Sequence, residues 1–314
     1  MPVLNEEAGI AEMLDRLLAQ SFAAMEIILA DGGSTDRTPE ILASYSARDA
    51  RVRVVDNPGR LQSAGLNRAL DAARGRVLVR LDGHSFVGPD YVARCVELLA
   101  STGADVVGGR MVARAGEGPT AKGIEMAMSR RWAAGPARFH HPGAAGFVET
   151  VYLGTFTREI LERVGGWSQD VGVNEDFDLN YRIRRAGGRI WYDPSLEVEY
   201  QPRSTFKALA RQYFRYGRSK ASMLRKRPAS ILPRQTAPAV LVPTAMVAGS
   251  HRRLGRAARL AIIGYVVALV VAVEREGDIP ADVRRRAAVA AVVMHWCWSA
   301  GLWTGLVSPF RKVT

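Results

Sequence analysis

The sequence contains little cysteine and does not open with a basic and then apolar leader. Cys95 and Cys297 are its only cysteines in 314 residues, and they lie far apart. Neither a disulfide framework nor a zinc site is therefore indicated. Residues 1–7 read M-P-V-L-N-E-E, which lacks the regions of a secretory signal peptide. We therefore expect the polar part of the chain to remain in a reducing cytosol.

Acidic residues are in deficit. There are 31 Asp and Glu against 43 Lys and Arg, a net charge of +12. Nucleic acid, anionic lipid and phosphate-rich small molecules would all suit such a charge, and a compositional bias towards arginine is a further explanation. Much of the arginine lies after residue 200 beside apolar stretches, which favours a membrane surface. No recognised nucleic-acid motif is present, so no nucleic-acid partner is predicted.

The first hundred residues alternate between strand-like and helix-like segments. Strands are predicted near residues 26–30, 52–56, 76–82 and 105–112, with helices between them. Such alternation predicts an α/β fold, a Rossmann-like and mostly parallel sheet flanked by helices. Asp31 and Asp82 fall at the carboxyl ends of two strands, where open α/β sheets bind their ligands.

The last third of the chain is predicted to be helical and membrane-associated. Residues 206–227 mix apolar and basic residues, which suits a helix in the membrane interface or one packed on a core. Of three later apolar segments, residues 257–273 and 287–307 approach the length of a bilayer span. We therefore divide the chain into a catalytic domain at 1–203, a basic interface region at 204–235, and a region at 236–314 with about two transmembrane helices.

Two short polar motifs lie near the start of the chain. Residues 2–6 read P-V-L-N-E, and residues 31–38 read D-G-G-S-T-D-R-T after an apolar strand. The glycines allow a ligand to approach the backbone, and Asp36 is placed to cap the following helix. Each motif alone is also explained by helix capping, because carboxylates are stabilised at helix N-termini.

Two more acidic motifs follow. Residues 77–85 read V-L-V-R-L-D-G-H-S, which places Asp82 after a strand and His84 two residues later. A carboxylate with an imidazole is a competent ligand pair for Mn²⁺, whereas Mg²⁺ prefers oxygen. Residues 174–179 read N-E-D-F-D-L at the start of a predicted helix, where Glu175 and Asp176 are also typical of simple dipole compensation.

In this order the motifs resemble those of glycosyltransferase family 2. The D-G-H form resembles the subgroup of succinoglycan-type exopolysaccharide glycosyltransferases. The resemblance spans about residues 2–220 and includes G-A-A-G-F-V-E-T-V-Y-L-G-T-F at 143–156 and Q-Y-F-R-Y at 212–216. In the last element the family has Q-x-x-R-W, so the change from Trp to Tyr puts processivity in doubt. The resemblance implies the GT-A fold.

The resemblance also implies a role for each matched residue. Asp176 is the expected general base, with Glu175 beside it in the catalytic pair. Asp82 and His84 are the expected ligands of one divalent cation, Mg²⁺ or Mn²⁺. The expected nucleotide-sugar-binding residues are Pro2, Leu4, Asn5, Glu6, Asp31, Asp82 and Arg215.

The expected activity is that of an inverting, metal-dependent glycosyltransferase. A base removes the proton of an acceptor hydroxyl while the cation stabilises the departing diphosphate, so in-line attack inverts the anomeric centre. The expected donor is a nucleotide-sugar, in particular a UDP-sugar, and the expected acceptor is lipid-linked or held at the membrane during polysaccharide or glycolipid synthesis. The expected location is the cytoplasmic face of the membrane, as an integral membrane protein.

Two alternatives remain open. The first is a glycosyltransferase that uses polyprenyl phosphate directly as its acceptor. The second is a non-catalytic membrane scaffold that has kept the fold, although such a protein would have no need of Asp31, Asp82 and Asp176 together.

Overall fold

The computed structural model describes residues 1–83, 85–114, 116–250 and 252–308, with the side chains of Ser250 and Arg252 excepted. Within it the chain forms two compact units. The first unit comprises Met1–Val112, Pro142–Gln169 and Glu175–Tyr200. The second comprises Ala113–His141, Asp170–Asn174 and Gln201–Thr314.

Most of the α-helices lie where the alternating pattern and the apolar C-terminal segments predict them. In chain order they are α1 (Ile10–Leu18), α2 (Thr38–Arg48), α3 (Gln62–Ala72), α4 (Tyr91–Thr102), α5 (Pro119–Met128), α6 (Arg131–Ala134), α7 (Arg158–Val164), α8 (Glu175–Arg185), α9 (Phe206–Lys226), α10 (Thr236–Ala239), α11 (Leu241–Ser250), α12 (Arg252–Glu274) and α13 (Ala281–Val307). α5 and α6 lie in a segment rich in glycine, alanine and proline, a composition that favours irregular structure.

A parallel sheet opens the first unit. Its strands are β1 (Pro2–Val3), β2 (Ile27–Asp31) and β3 (Val52–Asp56), in the spatial order β1-β2-β3. Val3 pairs with Asp31, and Asp31 pairs with Asp56. Because the strands are parallel, their carboxyl ends and the loops that follow share one edge.

The second sheet is antiparallel in every pairing whose register the structure gives. Its strands are β4 (Val77–Val79), β5 (Ser85–Val87), β6 (Val106–Ala113), β7 (Gly146–Phe147), β8 (Tyr152–Thr157) and β9 (Ile190–Tyr200), in the order β4-β8-β6-β9-β5 with β7 on β9. The α/β class is therefore right, but the expected mostly parallel sheet is wrong: the sheets together are mixed. β8 and β9 follow the alternating part of the chain and insert beside β4, β6 and β5.

The core of the first unit forms where amphipathic helices cover the sheet. α1 buries Ile10, Met13, Leu14 and Leu17, the i, i+3, i+4, i+7 spacing of one helix face. Each such side chain contributes roughly 1.5–3 kcal/mol when it is fully buried. The hydroxyl of Tyr45 on α2 donates to Asp15 at 2.6 Å, which joins the two helices.

Glu26 connects the two sheets. It precedes β2, and its Oε1 accepts from the backbone N–H of Arg74 at 2.6 Å and of Gly75 at 3.1 Å, just before β4. Its Oε2 lies 3.1 Å from Arg53 of β3. Burial tends to raise the pKa of Glu26, but these donors outweigh burial and the pKa is lowered. The carboxylate thus holds β2, β3 and the start of β4 in fixed relation.

In the second unit, α9 and α13 touch backbone to backbone. A Cβ at Gly217 of α9 would meet the carbonyl oxygen of Trp298, and a Cβ at Gly301 of α13 would meet that of Phe214. Both glycines are therefore needed for the close approach. Further along, Arg225 of α9 donates to the carbonyl oxygens that end α13.

Two helices of this unit are long and apolar enough to cross a membrane. They lie at Arg253–Glu274, with mean hydropathy 2.0, and Ala281–Val307, with mean hydropathy 1.2. α12 exposes large apolar side chains, for example Leu260 at 68% and Val267 at 54%. α13 is more buried, because α5 and α9 pack against it. The predicted apolar segment around residues 237–249 forms the short helices α10 and α11.

We predict that Gly301→Ala destabilises the protein although alanine is the better helix former. The added methyl group collides with the α9 backbone, and overpacking of this kind costs about 1–3 kcal/mol. Gly264→Ala in α12 is the matched control, since a Cβ there meets nothing within 4 Å. That variant should be neutral or more stable by about 1 kcal/mol. Thermal unfolding of the full-length protein in detergent compares the two; equal midpoints would contradict the close α9–α13 contact.

Candidate active site

The loops after β1 and β2 interlock at the shared sheet edge. The backbone N–H of Asn5 donates to Ser34 Oγ at 2.9 Å, and Asn5 Oδ1 accepts from the N–H of Thr35 at 2.8 Å. The N–H of Glu6 donates to Thr38 Oγ1 at 2.8 Å. Asn5 has a φ of 55°, a left-handed conformation that asparagine tolerates better than most residues. The P-V-L-N-E and D-G-G-S-T-D-R-T motifs therefore form one structure.

Asp31 and Asp36 serve this structure in different ways. Asp31 Oδ1 accepts from the hydroxyl of Ser34 at 2.6 Å, which closes its own loop. Asp36 Oδ1 accepts from the N–H of Thr38 at 3.0 Å, at the start of α2. This bond satisfies one of the free N–H groups of the helix N-terminus, although Arg37 and not Asp36 is the N-cap residue.

A small cavity of about 210 Å³ opens beside the interlocked loops. It brings together four of the predicted nucleotide-sugar residues: Pro2, Leu4, Glu6 and Asp82. Its remaining lining residues are Val3, Gly32, Asn57, Arg60, Leu61, Gln62 and Gly83. A larger apolar cavity of about 720 Å³ lies between β2 and β4, but of the predicted site residues it includes none.

Arg60 is a lining residue that sequence reasoning missed. It has a φ of 52°, which is unusual for a residue with a side chain, and its guanidinium lies over Gly33. Gly33 itself has a φ of 76°. The turn N-P-G-R at residues 57–60 was a signal of irregular backbone, but nothing in it indicated that the arginine would face the cavity.

Asp82 belongs to a second cluster, built around Arg80. Arg80 Nε lies 3.4 Å from Asp82 Oδ1, and Arg80 Nη2 lies 3.2 Å from Glu175 Oε1. Arg80 Nη1 forms an ion pair with Asp176 Oδ1. The structure thus brings the predicted site residues Asp82, Glu175 and Asp176 together, around an arginine that was not foreseen.

The three carboxylates differ in exposure. The side chains of Glu175 and Asp82 are 5% and 13% exposed, whereas that of Asp176 is 35% exposed. Arg80, which pairs with all three, is 3% exposed. Burial raises the pKa of Glu175, and Arg80 opposes this without cancelling it. Burial also tends to lower the pKa of Arg80, but Asp82 and Glu175 outweigh it, so the pKa is raised. Asp176 is therefore the most accessible carboxylate of the cluster.

The loop before α8 is held by hydrogen bonds from Asn67 of α3. Asn67 Nδ2 donates to the carbonyl of Trp167 at 2.8 Å, and Asn67 Oδ1 accepts from the N–H of Trp167 at 2.8 Å. Gly166 has a φ of 65° and leaves no space for a Cβ beside Asn67. From α8, Arg182 donates to the carbonyl of Gly166 at 2.6 Å. These contacts fix where α8 begins and hence where Asp176 stands.

Tyr152 on β8 lies in the predicted segment 143–156. Burial, and then the negative charge of Asp82, raise its pKa well above the usual value. Its ring meets that of Tyr200 edge to face, with centroids 6.3 Å apart. Tyr152 is thus a half-buried aromatic side chain beside Asp82.

The remaining predicted site residues are His84 and Arg215. His84, expected to bind metal with Asp82, lies outside the described residues. Arg215 lies exposed on α9 in the second unit, whereas every other described site residue lies in the first. Among the described residues, no group of three or more His, Cys, Asp or Glu side chains is placed to hold a metal ion.

Comparison with known proteins identifies the family. The model of "Glycosyl transferase family 2" matches residues 1–165, more than half of the chain. The chain belongs to glycosyltransferase family 2. It is 34% identical to the succinoglycan biosynthesis protein ExoA of Rhizobium meliloti (strain 1021), over 100% of this chain and 96% of that protein. Over 34% of the chain it is 38% identical to an undecaprenyl-phosphate 4-deoxy-4-formamido-L-arabinose transferase of Pseudomonas aeruginosa (strain LESB58), covering 33% of that protein.

Solved structures confirm the GT-A fold of this transferase. The mannosyltransferase PcManGT of Pyrobaculum calidifontis, solved with GDP-Man and Mn²⁺, superposes with a TM-score of 0.62 at 21% identity. The match covers 98% of this chain and 85% of that one. Residues 1–349 of S. aureus TarS, solved with UDP, superpose with a TM-score of 0.50 at 13% identity, covering 96% and 89% of the two chains.

We predict that Asn67→Asp destabilises the transferase at neutral pH. The ionised carboxylate loses the donor to the Trp167 carbonyl and faces that oxygen with a negative charge, at a cost of about 1–3 kcal/mol. Repulsion from the carbonyl raises the folded-state pKa of the new carboxyl, so the deficit relative to wild type should shrink as pH falls and the group becomes protonated. Gln169→Glu, at an exposed amide, should show no such change. Denaturant unfolding of the three proteins at pH 7 and pH 4.5 measures the effect; a pH-independent deficit would contradict it.

Proposed function

We propose that this protein is an inverting transferase that moves a sugar from a nucleoside diphosphate sugar to an acceptor held at a membrane. One observation carries the proposal: Asp82 faces both the cavity beside the interlocked loops and the Arg80 cluster that contains Asp176. A donor in that cavity would place its diphosphate near Asp82 and its sugar towards Asp176. The rest of the proposal follows from the chemistry of these groups.

The cavity suits a nucleotide. Leu4 and Pro2 supply apolar surface for a base, while Glu6 and Asn57 supply polar groups for a ribose. Arg60 supplies a positive charge. PcManGT is solved with GDP-Man and TarS with UDP, which supports a nucleotide-sugar donor in general. We propose a UDP-sugar in particular, which the UDP complex of TarS supports.

The donor set fits a divalent cation that is shared with the donor. Mg²⁺ is commonly bound by one or two carboxylates together with substrate phosphates, and not by a cage of protein ligands. Asp82 Oδ1 faces Arg80, and among the described residues Oδ2 accepts no hydrogen bond. Asp82 would hold the cation, and His84 is proposed as its second ligand. When bound, the cation would neutralise the charge of the diphosphate.

Asp176 is proposed as the general base. It is the most exposed carboxylate of its cluster, so an acceptor hydroxyl can approach it. Deprotonation of that hydroxyl would allow direct attack on the anomeric carbon as the nucleoside diphosphate leaves. A single displacement of this kind inverts the configuration. Glu175, buried beside it, contacts Arg80 and takes no part in accepting the proton.

The acceptor and the location are proposed from the C-terminal region and the relatives. α12 exposes an apolar surface preceded by Arg253, Arg256 and Arg259, a combination that suits a membrane with anionic headgroups. One relative is named for the use of undecaprenyl phosphate and another for succinoglycan biosynthesis. We therefore propose a lipid-linked acceptor at the cytoplasmic face. Arg215 is proposed to bind phosphate oxygens of the nucleotide-sugar donor. Polyprenyl phosphate itself is the second candidate acceptor, favoured by the first of these relatives.

We predict that Asp176→Asn abolishes transfer but not donor binding. Loss of the base should lower kcat at least about 100-fold, the lower end of the usual contribution of general base catalysis. Asp82→Ala should lower both transfer and donor affinity. Asp71→Asn, at an exposed position of α3, is the matched control. Membranes containing each variant are supplied with radiolabelled UDP-, GDP- and dTDP-sugars and with lipid extracts or purified polyprenyl phosphate as acceptor. Full transfer by Asp176→Asn would remove the assigned base.

We predict that Gly83→Ala weakens nucleotide binding without unfolding the protein. A Cβ there would lie 2.9 Å from Glu6 Cγ, so the Glu6 side chain must move within the cavity. The dissociation constant for UDP should rise about tenfold, which corresponds to about 1.4 kcal/mol. Gly88→Ala, where a Cβ meets nothing within 4 Å, should bind as the wild type does. Calorimetric titration with UDP in the presence of Mn²⁺ measures both; equal affinities would place the nucleotide elsewhere.

A further inference from the structure

Arg80 connects two parts of the proposed active site that are far apart in the sequence. It follows β4, and its side chain is 3% exposed. Asp82 lies two residues further along, whereas Glu175 lies 95 residues away at the start of α8. Asp176 is adjacent to Glu175. The guanidinium thus contacts both the carboxylate proposed to bind the donor and the carboxylate proposed as the general base.

The three carboxylates are spread over the guanidinium, with Nη2 shared by two of them. Nε and Nη2 lie 3.4 Å from Asp82 Oδ1, Nη2 lies 3.2 Å from Glu175 Oε1, and Nη1 pairs with Asp176 Oδ1. A guanidinium is planar and carries its donors in a fixed fork, so it sets the angles between its partners as well as their distances. An ammonium group has no such plane. The arrangement therefore needs arginine in particular, and not merely a positive charge.

We propose that Arg80 is a positioning residue that fixes the general base Asp176 relative to the donor-binding Asp82. The inference rests on the proposed function, because it takes its roles for Asp82 and Asp176 from there. Arg80 itself contacts neither sugar nor acceptor in this scheme. It engages Oδ1 of Asp176, and among the described residues Oδ2 accepts no hydrogen bond, so Oδ2 is the atom that receives the acceptor's proton.

Positioning of this kind has a kinetic consequence. The attacking hydroxyl is held by Asp176, and the anomeric carbon belongs to the donor, which is bound near Asp82. The distance between the hydroxyl and the anomeric carbon therefore depends on the link between Asp176 and Asp82. A misplacement of about 1 Å in such a site can lower the rate on the order of 100-fold. Binding of either substrate alone does not depend on that link. Changes at Arg80 should therefore lower kcat much more than they change the affinity for the donor.

A simpler role for Arg80 is charge compensation. Three carboxylates without a cation would repel one another in a buried site, and the buried Glu175 contributes most to that cost because it is 5% exposed. Under this explanation, removing one negative charge should make Arg80 dispensable. The double variant Arg80→Met with Glu175→Gln tests this, since its cluster has the same formal charge as the wild-type cluster but no guanidinium.

The experiment compares Arg80→Lys, Arg80→Met and the double variant with the wild type, with Glu175→Gln and with Arg110→Lys. Arg110 pairs with Glu197 between β6 and β9 and provides the matched arginine-to-lysine control. The measured quantities are the folded fraction by thermal unfolding, the dissociation constant of UDP, and kcat and KM for transfer. We expect Arg80→Lys to fold, to bind UDP within about threefold of wild type and to lose about 100-fold in kcat. The double variant should fold. Its kcat should lie below that of Glu175→Gln by at least the factor that separates Arg80→Lys from the wild type.

Two outcomes would overturn the proposal. The first is recovery of kcat in the double variant to the level of Glu175→Gln, which would leave charge compensation as the role of Arg80. The second is a kcat for Arg80→Lys equal to that of Arg110→Lys per folded molecule. The same assay includes Asp176→Asn: an absence of transfer by wild type, or full transfer by Asp176→Asn, would refute the proposed function itself. Active Arg80 variants beside an inactive Asp176→Asn refute only the role of Arg80.

Discussion

A buried positive charge with three negative partners is the interaction on which the rest of the first unit depends. Placing the Arg80 guanidinium away from water is costly unless negative charges compensate it, and the carboxylates of Asp82, Glu175 and Asp176 provide those charges. The requirement constrains the backbone as well as the side chains. The end of β4 and the start of α8 must face each other, and the Asn67–Trp167 hydrogen bonds hold the loop that makes this possible. Chemistry and fold therefore depend on the same few contacts.

The positions of Asp31 and Asp82 could be predicted because they follow from local patterning. Each ends an apolar segment, and strand ends are where open α/β sheets bind ligands. The ordered motifs then located Glu175 and Asp176. The mixed character of the sheet was not predictable in this way, because β8 and β9 pair with strands far away in the sequence and nothing in their own residues states the direction of the pairing.

Arg80 and Arg60 were missed for the same reason. Arg80 lies in the short segment V-L-V-R-L-D, where a single charged residue is typical of the end of a strand. Its partners on α8 are distant in the sequence and become its neighbours only in the folded chain. Arg60 occupies a turn whose glycine and proline indicate irregular backbone but not its direction. Both residues acquire their significance from burial and orientation, which are properties of the folded chain and not of the motifs.

The division of the chain into two units has a consequence for engineering. In the part of the chain that the structure describes, the second unit is assembled from Ala113–His141, Asp170–Asn174 and the residues after Tyr200, so the polypeptide leaves the first unit and returns to it twice before the final departure. Ser219 and Lys226 of α9 bind the residues immediately before Glu175. The apolar C-terminal helices consequently do not form a unit by themselves. A chimera that exchanged them at a single junction would separate them from the earlier pieces of the same unit, and grafting would have to replace three separated pieces together.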